Sequence, residues 1–175
     1  MPSITKSPGT IVSDASFGSV PWSNPGNASA SDDSRATSAL TGVDANSEYL
    51  KATNFGFDTD VPVGATITEY TVSVERSANA VDRLKDGRLR AVIGGVIGSN
   101  DYANVVNWPD SDAVQTYNLL SDGPTAAQVR ASDFGCALAA LWISGASAQA
   151  RVDHVQITIS WTTDSLPPGC QAGVA

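Results

Sequence analysis

Between residues 150 and 162 the chain alternates residue by residue. Val155, Ile157, Ile159 and Trp161 fall on one side, and His154, Gln156, Thr158 and Ser160 on the other. A period of two over that length is a strand packed on one face and wetted on the other, because successive strand side chains point to opposite faces. The same period recurs from Thr66 to Arg76, where Thr68, Tyr70, Val72 and Val74 oppose Glu69, Thr71, Ser73 and Glu75. Two such strands commit the chain to an antiparallel sheet with one buried face.

The rest of the sequence repeats that theme between turns. Val61-Pro62-Val63-Gly64 reads as a type I turn leading into the Thr66 strand. YLKATNFGF (49–57) reads as a strand with Tyr49, Thr53, Phe55 and Phe57 on one side. Arg88 to Ile93 followed by Gly94-Gly95 and Val96-Ile97 reads as a tight hairpin. Residues 133–143 supply a further strand, and one lies near Arg35 to Leu40. Helix has a single good candidate, Thr125 to Arg130, in which Gln128 stands three residues after a capping Thr125. Many strands, one short helix and Gly/Pro-rich connections predict an all-β protein, an antiparallel sandwich of the jelly-roll type. The expected division is an N-terminal arm or first strand over 1–20, the sandwich over 21–162, and a flexible tail over 163–175.

At 175 residues the chain suits one domain that needs neither disulfide nor metal to form a core. Eighteen acidic against ten basic residues give a net charge of -8, which opposes nucleic acid and an anionic membrane surface. The N-terminus lacks the apolar stretch of a secretory signal, and the apolar run CALAALWI (136–143) is too short to span a bilayer. A chain made soluble is the expectation. Cys136 sits in that apolar run and reads as a buried free thiol, whereas Cys170 lies in the Pro/Gly tail and reads as an exposed one.

Across nearly the whole chain, an ordered series of motifs carries a family resemblance. They are GTIVSDAS (9–16), WSNPGNASASDD (22–33), YLKATNFGF (49–57), VPVGATI (61–67), GGVIGSN (94–100), WP (108–109), FG (134–135) and VDHVQITISW (152–161). Their order and spacing resemble a family of small tailed-phage and prophage virion proteins built on a β-sandwich or jelly-roll module. The resemblance implies a non-catalytic structural part of a virion, such as a capsid decoration, head fibre or tail-associated protein. It would be made in the host cytoplasm and would act by contact with other virion proteins and with itself, as a homo-oligomer and by preference a trimer. The alternative is a carbohydrate- or receptor-binding sandwich, braced by calcium.

Chemistry-bearing residues are sparse, and no catalytic set emerges. His154 is the one histidine. Its neighbour Asp153 cannot orient it along a regular strand, and no nucleophile elbow, P-loop or zinc motif is present. The protein is therefore expected not to be an enzyme and to carry no resident cofactor. Were a metal held, the hard oxygens of Asp32, Asp33, Asp58 and Asp60, together with Asp110-x-Asp112, would suit calcium. The competing reading is that these Asp residues only brace turns, since their side chains bond nearby backbone. Asp153 falls on the apolar side of its strand and needs a partner there, with Arg35 and Arg76 as candidates. For sugar stacking, Trp22 and Trp108, each next to a proline, are the candidates, whereas Trp142 and Trp161 read as core. PWSNPGNASASDD (21–33) itself reads as architecture: Trp22 plugs the end of the core and Asn24 to Asn27 form a turn.

Overall fold

The computed structural model describes residues 1–42, 44–145 and 147–163. In chain order the strands are β1 (Ser3–Lys6), β2 (Thr10–Asp14), β3 (Ala36–Leu40), β4 (Tyr49–Thr53), β5 (Thr66–Ala78), β6 (Leu84–Ile93), β7 (Val96–Ile97), β8 (Ala113–Asn118), β9 (Gly135–Trp142) and β10 (Ala148–Thr162), with one α-helix, α1 (Ala126–Val129). They form two five-stranded antiparallel sheets. The first runs β1-β10-β5-β8, with β3 also on β10; the second runs β2-β4-β9-β6-β7. This is the antiparallel jelly-roll sandwich that the alternation predicts. The segment read as arm or first strand contributes a strand, since Ser3–Lys6 pairs with Lys6 opposite Ile157 and Ser3 opposite Ser160. The tail beyond residue 163, with Cys170, lies outside the described residues.

β10 organises the first sheet. From Ala150 to Thr162 it lies against β5, while β3 takes its first part on the other side and β1 its last. The predicted inner face holds: Val155, Ile157 and Ile159 of β10 are buried, as are Tyr70, Val72 and Val74 of β5. They meet Leu50, Ala52, Leu89, Cys136 and Leu138 from the second sheet in one core. Burial of this apolar surface is the main force holding the sheets together. Cys136 is a buried free thiol, as expected.

Three local details differ from the sequence reading. The turn before β5 falls one residue later, closed by Ala65 N–H donating to Pro62 O at 3.2 Å, and Gly64 at φ 76° makes it type II rather than type I. β4 stops at Thr53 because Asn54 and Gly56 adopt positive φ, and its inner residues are Leu50 and Ala52. Tyr49 faces outward, where the Phe17 ring covers it at 5.2 Å. Phe55 and Phe57 reach the core from the following loop and stack on each other. Gly94 and Gly95, at φ 60° and 75°, make the expected β6–β7 hairpin turn.

The helix forms where the capping box predicts it. Gln128 N–H donates to Thr125 Oγ1 at 3.3 Å, and Thr125 N–H donates to Gln128 Oε1 at 2.8 Å. Thr125→Ala is expected to lower stability by about 1 kcal/mol. The check is the urea midpoint, which should fall with an unchanged slope.

Candidate cation site

The pairing of β10 with β5 slips by one residue between Val152, opposite Arg76, and His154, opposite Glu75. Asp153 is the extra residue of this bulge. A bulge resets the alternation, so Val152 and Asp153 are both buried in succession. Asp153 is only 2% exposed. Its Oδ2 accepts the Asp33 N–H at 3.4 Å, and its Oδ1 has no hydrogen-bond partner among the described residues.

Two further carboxylates converge there. Asp33 stands at φ 64° in the loop before β3, a left-handed conformation that Asp tolerates better than most residues. Asp112 immediately precedes β8. One oxygen from each of Asp33, Asp112 and Asp153 lies within 4.8 Å of the others. Arg35 clamps two of them: its Nη2 donates to Asp33 Oδ1 at 2.9 Å and also to Asp112 Oδ2, to which Nε donates at 2.9 Å. Ser77 Oγ–H donates to Asp112 Oδ1 at 2.6 Å. Three carboxylates against one bonded guanidinium leave two negative charges, the complement of a divalent cation. An all-carboxylate oxygen set suits a hard ion. The residues present can therefore hold a metal.

The electrostatics separate the three. Hydrogen bonds from Arg35 hold the Asp112 carboxyl below the usual carboxylate range, against its partial burial, and Ser77 adds to them. Asp112 in turn raises Arg35. Burial pushes Asp153 up, opposed by the Asp33 N–H, and the Glu75 and Asp112 charges push it further. Linkage then gives opposite signs without an ion. Asp112, depressed, contributes stability above its unfolded value that is lost as pH falls through its folded one. Asp153, raised, contributes stability below its unfolded value that is lost as pH rises through its folded one. Asp112→Asn is therefore expected to cost about 1–2 kcal/mol near pH 7. That deficit should shrink as the pH falls below the ordinary carboxylate value of 3.8, as read by urea unfolding at several pH values in chelator.

The other sequence candidates go elsewhere. Asp32 Oδ1 accepts the Ser34 N–H at 2.9 Å, the turn-bracing role. Asp60 pairs with Lys6 Nζ at 2.5 Å and with Thr59, and the exposed Asp58 joins no three-ligand cluster among the described residues. Of the two partners considered for Asp153, Arg76 instead pairs with Asp86, and Arg35 acts on Asp153 through its charge without a bond. Trp22 and Trp108 must be corrected as sugar platforms. They are 4% and 1% exposed, with the indole N–H of Trp22 on Glu48 O and that of Trp108 on Asp86 Oδ1, each at 2.8 Å. Each ring faces the core and offers no surface for a sugar.

Beside the acidic triad, the outer face of the first sheet holds a cleft of about 330 Å³ lined by Ser31, Ser73, Glu75, Val114, His154 and Gln156. His154 Nε2 lies 2.8 Å from Ser7 Oγ, so β1's neighbouring loop ties into the same wall. Sequence reasoning singled out Asp153 as a carboxylate without an obvious partner, but it missed the cleft. The only available signal was the row of Ser, Thr, Glu, Gln and His on the polar side of β5 and β10.

An antiparallel sandwich with an acidic triad, of which Asp153 is the buried member, beside a polar cleft is thus the class that fold and site define. No protein-family model matches the chain, and none of the curated proteins does. Among solved structures the chain is similar to the CBM36-1 domain of a multidomain xylanase from the hindgut metagenome of Trinervitermes trinervoides. The likeness covers 93% of this chain and 99% of that one, at 12% identity and a TM-score of 0.35. The expectation of a virion structural protein is corrected here to this extent: the solved structure to which the chain is similar is a domain of a xylanase, and no comparison matches a virion part. At that TM-score the likeness carries no structural argument, so the reading below stands on the chain's own residues.

Proposed function

We propose that this protein is a non-catalytic carbohydrate-binding β-sandwich module, with calcium held by Asp33, Asp112 and Asp153. The observation that carries the reading is the buried Asp153 carboxylate with Oδ1 unpartnered, facing two more carboxylates. Leaving such a charge buried costs several kcal/mol unless a cation compensates it. Calcium suits oxygens drawn from three separate segments, because its coordination is flexible where magnesium demands a near-ideal octahedron. Bound there, the ion ties the loop before β3, the start of β8 and the β10 bulge together, and so stiffens one end of the cleft.

The cleft's lining favours a sugar. Ser31, Ser73, Glu75, His154 and Gln156 supply hydroxyl, carboxylate, imidazole and amide groups for a polyhydroxylated ligand, and no lysine or arginine lines it for an anion. Calorimetric titration of calcium into chelator-stripped protein should show one site, with a Kd on the order of 10⁻⁴ M, as in extracellular modules. A panel of soluble polysaccharides should then show affinity that falls on adding chelator and is lost in Glu75→Ala and Gln156→Ala while calcium still binds. No calcium uptake would overturn the metal assignment; calcium uptake with no polysaccharide bound would overturn the carbohydrate assignment.

A further inference from the structure

The edge of the first sheet at β8 carries a second, separate feature. β8 pairs with β5 on one side and with no strand on the other among the described residues. Just past its end, Leu119 N–H donates to Tyr70 O at 2.8 Å, which continues the β5–β8 ladder. Ladder bonds in an antiparallel pair fall on alternate residues, so Ala113, Gln115 and Tyr117 bond inward to β5. The N–H and C=O of Val114, Thr116 and Asn118 therefore point outward. The Thr116 carbonyl agrees with this, since it accepts from its neighbour's side chain, Gln115 Nε2, at 3.1 Å. The other edges are guarded. β1 carries Lys6 on Asp60, Ser23 bridges the free side of β3, β2 ends in Asp14, and β7 has only two residues. β8 has six residues and none of the lysine, proline or charge that usually protects an edge.

Charge and apolarity say what fits this edge. Residues 102–109 (YANVVNWP) and 113–120 (AVQTYNLL) contain no charged side chain, in a chain of net charge -8. Val105, Val106 and Val114 are exposed there, and Val106 and Val114 line one shallow cavity between residues 106–109 and β8. An acidic chain meets its own copy with least repulsion at such a neutral, apolar place. An antiparallel edge is also its own complement about a two-fold axis. We propose that β8 pairs with β8 of a second copy, about an axis at Thr116. Thr116 then faces its counterpart, Val114 faces the partner's Asn118, and the outward N–H and C=O groups make about six new backbone hydrogen bonds. The pairing joins the two first sheets into one. It sets β5 and its counterpart three strand spacings apart, about 14 Å. The clefts over Ser73 and Glu75 then open on one continuous face, where a single polysaccharide can span both. That consequence rests on the carbohydrate reading; the dimer itself does not.

The test is sedimentation equilibrium of the full-length chain, in reducing agent so that Cys170 cannot link two copies. The expected result is a reversible equilibrium between 18.0 kDa and twice that mass, with a Kd on the order of 100 µM, as suits a small interface. Thr116→Lys and Thr116→Glu should each weaken it at least about tenfold, because a residue on the axis meets its own charge. Mixing the two variants should restore association, since lysine then meets glutamate. Thr116 is exposed, so both variants keep the fold, which an unchanged urea midpoint checks. A monomer up to about 1 mM, a dimer that either variant leaves intact, or a mixture that stays monomeric would overturn the proposal. No sugar enters the measurement, so its failure is distinct from a failure of the carbohydrate reading.

Discussion

Asp86→Ala is expected to cost about 3–5 kcal/mol, a large part of the stability of a domain this size. Three donors lose their acceptor at once, the Trp108 indole N–H, the Tyr117 hydroxyl and the Asn104 N–H, and the Arg76 guanidinium loses its counter-charge. Arg76 and Asp86 are almost wholly buried, so water cannot replace what is removed. Burial and the Asp86 charge also hold the Tyr117 hydroxyl far above its ordinary value, so it donates and never ionises in the working range. Most of the loss comes from stranding a buried cation rather than from the pair's own worth. The double variant Arg76→Met/Asp86→Leu should therefore be the more stable of the two, since replacing both members of a buried pair by apolar groups is often neutral. Urea unfolding of both variants decides. A loss under about 1 kcal/mol in Asp86→Ala would show that water reaches the pair.

This knot also shows what the sequence could and could not reveal. Arg76 continues the inner series Tyr70, Val72, Val74, so its inward placement is readable from the alternation. Its partner is not, because Asp86-Gly87 looks like a turn. In the fold Gly87 is a bulge inside β6, with Asp86 opposite Ala140 and Arg88 opposite Ala139. The bulge lets Asp86 point into the core while Arg88 and Arg90 stay on the outer side. Trp22 and Trp108 misled for a related reason. Proline neighbours mark loops, but loops that close the ends of a sandwich carry their aromatics inward, and the acceptors Glu48 O and Asp86 Oδ1 come from distant parts of the chain. Where a strand is regular, period two gives the buried face directly, as in β10 from Val155 to Ile159. Where a bulge resets the phase, it does not. Both ionic centres of this protein, at Asp86 and at Asp153, stand at bulges.

Asp153→Asn should change the stability in opposite directions with and without calcium. In chelator the wild-type carboxylate is buried and its pKa is pushed above the ordinary value by desolvation and by the Glu75 and Asp112 charges, so its ionised form destabilises the fold. An amide removes that charge yet keeps an oxygen for the Asp33 N–H. The variant is therefore expected to match or exceed the wild type, and its advantage to grow as pH rises through the Asp153 pKa. With calcium at about 100 times its Kd the wild type gains about 2.7 kcal/mol, which the variant forfeits. Melting curves of the two proteins in chelator and in calcium should thus cross over. A residue that merely braced the loop would behave otherwise: Asp153→Asn would lower the melting temperature in chelator and leave any calcium response intact. Calcium acting elsewhere on this acidic chain would stabilise both proteins equally. The crossing of the curves therefore separates a cation site at the β10 bulge from both of those explanations.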